Sequence, residues 1–172
     1  GPGFSFEFDG PTHHGTQDVA IMRAIPEITI YNLSDISLAA RAAHLAYRSN
    51  GPVYVRLDKG KFPILSEEDS DFSDGFRVVK PLREVNVVST GFMTTQALLA
   101  AEELEERGAS VGVVDLYRLK PISSAFCSTL LENSQEVVTV EESSIVGGVG
   151  TIVSEVLAEA GSNILPVCRN GY

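Results

Sequence analysis

Two adjacent histidines, His13 and His14, lie in the segment FEFDGPTHHGTQD, between an Asp-Gly-Pro turn and a predicted helix start. A histidine that projects from a loop after a strand can donate a hydrogen bond to a substrate oxygen or move a proton near neutral pH. Asp9, at the start of the turn, could accept a hydrogen bond from a substrate hydroxyl or orient an imidazole. The spacing also suits ordinary solvated loop residues, so the residues alone leave both interpretations open.

A second candidate group follows the predicted strand PVYVRL and consists of Arg56, Lys59 and Lys61, with Gly60 among them. Cations and a glycine at the end of a strand suit the binding of a phosphorylated substrate. The alternative is a surface salt-bridge cluster with Asp58.

A glycine-rich segment, GGVG, stands at a predicted helix start and contains Gly147, Gly148 and Gly150. Free backbone amides at a helix start can bind an anion, but the spacing matches neither GxGxxG nor a P-loop. Close packing of the helix is the other interpretation. Glu141 and Glu142 are adjacent, so their side chains should point in different directions and not form a catalytic pair.

Composition excludes several classes of function for this chain of 172 residues. A net charge of −10 argues against nucleic acid or anionic lipid as the main partner, and no apolar run is long enough to span a membrane. Cys127 and Cys168 form no metal-binding pattern and predict buried, reduced thiols and a cytoplasmic location. The histidine pair does not match a ligand spacing either, so we predict no metal site on this chain.

The first half of the chain reads as a βαβ unit with a further helix ahead of it, which predicts a parallel sheet. The expected elements are a helix capped by Thr16 that runs to about Ala24, a strand over 28–31, a helix capped by Ser34 and a strand over 52–57. The apolar stripe of the second helix is predicted at Ile36, Ala39, Ala40 and Ala43, with His44 packed or half-exposed as a structural residue.

Composition shifts at residues 65–83, which we interpret as a linker with one edge strand. Beyond it, four strands alternate with three helices, the pattern of an open doubly wound unit. Strands are expected over 85–90, 110–117, 136–142 and ILPVCR. Helices are expected over 94–108, from Ser123 onward and after GGVG.

Both halves of the sequence resemble one known family. The pyrimidine-binding domain of transketolases is similar to two segments of the first half, DGPTHHGTQDVAIMRAIPEITIYNLSD and GPVYVRLDKGKFPIL. The transketolase C-terminal domain resembles two segments of the second half, VVSTGFMTTQALLAAEELEERGASVGVVDLYRLKPIS and VVTVEESSIVGGVG. The resemblance implies an α/β fold in which part of a parallel-sheet pyrimidine-binding domain (1–64) and a linker (65–83) precede a smaller, doubly wound C-terminal domain (84–172).

The resemblance implies a thiamine-diphosphate enzyme that moves a two-carbon ketol unit between phosphorylated sugars. Asp9 and His13 match the family's sugar-binding motif, with His13 as the catalytic residue. Lys59 stands where the family usually has a phosphate-binding arginine, although lysine lacks the bidentate fork. His14 and Arg56 complete the predicted set of substrate-binding residues, with no separate role assigned to His14.

Parts of the family's active site are missing, and this bears on partners. The activating glutamate and the aromatic residues for the cofactor ring would lie upstream of Gly1, and the diphosphate and magnesium motif belongs to another domain. Ser143 replaces a frequent histidine. Both ends of the sequence suggest a fragment with an incomplete tail, so we expect a chain inactive alone that works with an N-terminal transketolase section in a dimer. Alternatives are a 1-deoxyxylulose-5-phosphate synthase, a ketoacid dehydrogenase β-type subunit and a non-catalytic assembly module.

Overall fold

The computed structural model describes residues 2–4, 8, 10, 12–60, 62–65 and 71–163, and the backbone of 166–170. Its first sheet has the strand order β2-β1-β6. The strands are β1 (Thr29–Leu33), β2 (Val53–Leu57) and β6 (Arg118–Lys120). β1 and β2 are parallel and in register from Thr29 opposite Val53 to Leu33 opposite Leu57. The βαβ prediction for this half is therefore confirmed.

Helix α1 (Asp18–Arg23) precedes β1, and helix α2 (Ile36–Tyr47) connects β1 to β2. Both predicted caps were wrong. The residue before α1 is Gln17, with no side-chain cap. Asp35 caps α2 by accepting a hydrogen bond of 2.8 Å from the Leu38 amide, since a carboxylate suits the positive end of a helix. The Ser34 hydroxyl is engaged elsewhere.

The buried face of α2 also differs from the predicted stripe. Leu38 and Ala42 are buried, whereas Ile36, Ala40 and Ala43 are exposed. Alanines lie on every side of this helix, so their spacing does not identify the face that packs against the core. The orientation of α2 instead follows from burial of the larger side chain of Leu38. In consequence His44 is exposed rather than packed or half-exposed.

The second sheet has the order β3-β5-β4-β7-β8. Its strands are β3 (Phe76–Lys80), β4 (Val85–Ser89), β5 (Gly112–Leu116), β7 (Glu136–Val140) and β8 (Pro166–Asn170). The last four run parallel, and β3 pairs antiparallel with β5 at one edge. The strand order reverses between β4 and β7, as in a doubly wound sheet.

Three helices connect these parallel strands: α3 (Met93–Glu106), α4 (Ser124–Asn133) and α5 (Val149–Glu159). Helix α4 starts near Ser123 as predicted, and Ser123 is its cap, because the Ser123 hydroxyl oxygen accepts a hydrogen bond from the Phe126 amide. The predicted alternation of strands and helices in this half is confirmed. None of the helices in the described chain is long and apolar enough to cross a membrane.

Strand β6, which the sequence did not predict, joins the two halves of the chain. It follows β5 but pairs antiparallel with β1, with Lys120 opposite Ile30 and Arg118 opposite Tyr31. One hydrophobic cluster then continues from Val19 and Ile30 of the first half into Val114 and Phe126 of the second. The two halves share both a sheet and a core.

A buried charge network crosses the same junction. Arg77 of β3 lies 2.9 Å from carboxylate oxygens of both Asp35 and Asp115. Asp115 also accepts hydrogen bonds from Ser34 at 2.5 Å and from Thr94 at 3.0 Å. The sequence signal for this network is Asp115, a charged residue inside the apolar strand GVVDL. The partners of Asp115 come from distant segments, so the local sequence does not identify them.

Candidate active site

The histidine pair lies in a tight turn immediately before α1. The His13 amide donates to the Gly10 carbonyl at 3.0 Å, and Gly10 has a φ of +72°, which favours glycine. The His13 ring is exposed, and its Nδ1 lies 3.0 Å from the Thr12 hydroxyl. The turn therefore presents the His13 imidazole outward from the chain.

His14 has different surroundings from its neighbour. Its ring is half-buried and packs edge-on against Phe4, with 4.9 Å between the ring centroids and 65° between the planes. Asp9, the predicted partner of these histidines, lies outside the described residues, as does the strand expected directly before the turn.

The predicted cation group divides into exposed and buried members. Lys59 is exposed at the end of β2, and Lys61 lies outside the described residues. The side chain of Arg56 is only 2% exposed and is bound inside the chain. Of the salt-bridge cluster offered as the alternative, the structure shows the pair Arg56–Asp58, and this pair is buried rather than on the surface.

Arg56 connects the histidine turn to the loop that follows β2. Its Nε lies 2.9 Å from Asp18, and its Nη2 donates to the Gly15 carbonyl at 3.2 Å, next to His14. Its Nη1 lies 3.7 Å from Asp58, which precedes Lys59. One buried guanidinium thus holds both segments that carry candidate site residues.

Three carboxylates surround this guanidinium region: Asp18, Asp58 and Glu142. Burial raises the pKa of Asp58 above its ordinary value. Burial, with the nearby charge of Asp58, also raises the pKa of Glu142. The charge of Arg56 is therefore compensated within the chain, and Lys59 is the cation of this pair that faces outward.

Two amides at the glycine-rich helix start already have an acceptor within the chain. The Glu141 carboxylate accepts hydrogen bonds of 2.8 Å from the amides of both Val149 and Gly150, and a further one from the Ser143 hydroxyl. A Cβ at Gly148 would lie 2.0 Å from the Glu141 carboxylate, and one at Gly147 would lie 2.7 Å from Ala20. The glycines serve close packing, and a glutamate of the chain itself fills the anion position.

Replacing Glu141 with alanine should lower the free energy of unfolding by about 1–3 kcal/mol, because buried α5 amides would lose their acceptor. Denaturant unfolding measures this. Glu159→Ala is the matched control, since Glu159 is an exposed glutamate at the other end of the same helix, and it should change stability by less than about 0.5 kcal/mol. Equal effects of the two substitutions would contradict the capping role.

The described residues do not fit a diphosphate–metal group. Within the described ranges, no cluster of three or more His, Cys, Asp or Glu side chains could hold a metal ion. Two amides at the start of α5, the anion position that the sequence suggested, already donate hydrogen bonds to Glu141.

Sequence reasoning missed one further contributor to the site, the turn Gly91–Phe92 before α3. The Phe92 amide donates to the Asp58 carboxylate at 2.8 Å, so a residue of the second half of the chain contacts the loop that carries Lys59. The partner of this turn lies across the junction of the two halves, so local pattern does not reveal the contact.

Comparison with known proteins gives one family for both halves of the chain. Residues 2–64 match the model of the transketolase pyrimidine-binding domain, and residues 75–168 match that of the transketolase C-terminal domain. A subunit of 6-deoxy-6-sulfo-D-fructose transketolase from Clostridium sp. (strain MSTE9) is 33% identical over 92% of this chain. A 1-deoxy-D-xylulose-5-phosphate synthase from Chlorobium phaeovibrioides is 35% identical over 88%.

A solved structure described as a split-gene transketolase, an inactive β4 tetramer, superposes with a TM-score of 0.85 at 33% identity over 99% of this chain. The chain spans 49% of the clostridial subunit, 25% of the synthase and 54% of the chain in that solved structure. The two domain matches, in this order, with these relatives, show that the chain belongs to the transketolase family and corresponds to a C-terminal section of such an enzyme.

Proposed function

We propose that this chain is the sugar-binding section of a thiamine-diphosphate enzyme that transfers a two-carbon ketol unit between phosphorylated sugars. The observation that carries the proposal is the joining of two exposed groups, His13 and Lys59, through the buried side chain of Arg56. An imidazole and an ammonium supported by one buried ion-pair network suit a sugar with a phosphate at one end.

In this proposal each predicted site residue has a defined part. His13 and Asp9 bind the hydroxyl and carbonyl oxygens of the sugar, and His13 holds or moves a proton there. Lys59 binds the phosphate. Arg56 contributes by holding the two loops, in keeping with its buried side chain. His14 adds a contact to the sugar, and its ring packs against Phe4.

Thiamine diphosphate, when bound, supplies the carbanion chemistry of this family. We propose that the cofactor and Mg²⁺ are held mainly by segments outside this chain, since Glu141 already accepts hydrogen bonds from the Val149 and Gly150 amides at the start of α5. The role left to the described residues is to bind and orient the sugar and to control its protons.

We further propose that an N-terminal transketolase section completes the site and that the assembly contains two copies of each section, in the cytoplasm. Apolar side chains next to the Lys59 loop support a covering partner, since Ile36 is 68%, Leu57 55% and Ile64 64% exposed. Ile36 and Leu57 line a hollow of about 330 Å³ together with Asp58 and Phe62. The split-gene relative described as inactive contains β subunits only, which agrees with a chain inactive alone.

Reconstitution tests the proposed function. The complete protein that contains this chain, mixed with its N-terminal section, thiamine diphosphate and Mg²⁺, should transfer a ketol unit from a phosphorylated ketose to an aldose. Each section alone should show no turnover. Activity that needs a ketoacid donor instead would support the alternative relation to 1-deoxyxylulose-5-phosphate synthase. Absence of turnover with every donor would favour an assembly module.

A further inference from the structure

The loop that carries Lys59 is attached at two points to the turn Gly91–Phe92, which belongs to the C-terminal domain. The Asp58 carboxylate accepts a hydrogen bond of 2.8 Å from the Phe92 amide. On the other side of Lys59, the Phe62 ring packs against the Phe92 ring with 5.3 Å between centroids and 42° between planes. Both contacts flank the exposed lysine.

The turn fits this loop closely. Gly91 has a φ of +57°, and a Cβ there would lie 2.7 Å from Asp58 and 2.8 Å from the Asn32 amide nitrogen. Only glycine meets both the conformation and the space. Phe92 stands at the start of the 14-residue helix α3, whose positive end favours the Asp58 carboxylate.

The flexibility of the Lys59 side chain makes the attachment of its loop important for phosphate binding. Lysine presents a point charge on a flexible four-carbon stem and lacks the preorganised fork of arginine. A flexible stem gives a defined phosphate position only if the backbone that carries it is fixed. In the part of the chain that the structure describes, the flanking residues Asp58 and Phe62 both reach the same residue, Phe92.

We propose that Asp58 and Phe92 are positioning residues that determine the preference for phosphorylated sugars, by fixing the backbone on which Lys59 stands. The proposal rests on the proposed function. It gives the C-terminal domain a part in substrate selection, although its turn Gly91–Phe92 acts through the loop and not by touching the sugar. A merely structural contact would affect all substrates alike, so substrate comparison separates the two roles.

The test uses Phe92→Ala in the complete enzyme, since this variant removes the ring and keeps the amide. For a phosphorylated aldose we expect KM to rise roughly ten- to a hundredfold, the range for a displaced binding group. The KM for the same aldose without phosphate should change less than about twofold, because the positioned group binds only the phosphate. The kcat for each of the two aldoses should also change less than about twofold. Phe92→Tyr, which keeps the ring, should restore the low KM.

Phe72→Ala is the matched control, because Phe72 is a buried phenylalanine whose ring packs edge-on against Tyr117, 5.9 Å away. It should cost stability without changing the preference for phosphate. An equal rise in KM for both aldoses in Phe92→Ala, or the same substrate preference in Phe72→Ala and Phe92→Ala, would overturn the positioning role.

Tryptic cleavage after Lys59 gives a readout independent of turnover. Under native conditions Phe92→Ala should be cleaved there about tenfold faster than wild type or Phe72→Ala, because a released loop enters a protease more readily. Unchanged cleavage would overturn the attachment itself. Wild-type enzyme that transfers no ketol unit would refute the proposed function and the specificity role with it. Active wild type with no change of preference in Phe92→Ala would refute the positioning role alone.

Discussion

Replacing His13 with alanine should lower the turnover of ketol transfer by about 10²–10⁴-fold, the range for loss of a positioned acid or base. The ring is exposed, and its turn is held by the Gly10 carbonyl and, through Gly15, by Arg56. Truncation at Cβ removes the imidazole but leaves these backbone contacts in place. Steady-state kinetics of the complete enzyme with its N-terminal section would measure the effect.

His44→Ala is the control for this substitution. His44 is also an exposed histidine, but it lies on α2 among Arg41, Arg48 and Asp71. We expect turnover within about twofold of wild type, since surface substitutions away from a site are usually mild. Equal turnover in His13→Ala and wild type would remove His13 from the site, and with it the main residue of the proposed mechanism.

Replacing Asp115 with alanine should lower the free energy of unfolding by about 3–5 kcal/mol, the usual cost of removing one partner of a buried ion pair. Asp115 is fully buried, and its loss would remove one of the two carboxylates that contact Arg77 and the carboxylate that accepts from the Ser34 and Thr94 hydroxyls. Because the network crosses the junction of the two halves, both should unfold at lower denaturant. Far-UV circular dichroism during denaturant titration would measure this.

The control is Glu103→Ala, which removes an exposed ion pair with Arg107 on α3. It should change stability by less than about 1 kcal/mol, as exposed pairs do. A comparable loss in the two variants would contradict the importance assigned to the buried network.

The same network has a predicted pH dependence. Arg77 is shared between two carboxylates. Burial raises the pKa of Asp115 above its ordinary value despite the nearby guanidinium. For Asp35 burial acts in the same direction, but hydrogen bonds from Leu38 and Ser37 outweigh it, and the pKa of Asp35 lies below its ordinary value. A raised pKa means that the folded state binds the proton more tightly than the unfolded state. The stability of wild type relative to Asp115→Asn should therefore increase as pH falls from neutral through the folded pKa of Asp115, and a decrease would contradict this assignment.

Much of the fold follows from local pattern. The alternation of apolar strands with helices indicated two α/β units, and the strand bounds agree with the structure to within a few residues. The start of α4 near Ser123 was predictable because the signals of a helix start depend on a few adjacent residues. The motif around His13 and the position of Lys59 were visible for the same reason, since residue type and spacing within one segment carry them.

The sequence by itself therefore determined the family, the order of the elements other than β6, and the short segments around His13 and Lys59. Only the tertiary structure decided which side chains of those segments face outward. Arg56 and Lys59 are both cations near the end of one strand, but Asp18 and Gly15 bind Arg56 in the interior and leave Lys59 exposed. Ser34 and Asp35 are both good caps, but Asp115 engages Ser34. Burial and partner choice depend on segments far apart in the chain, so no local pattern contains them.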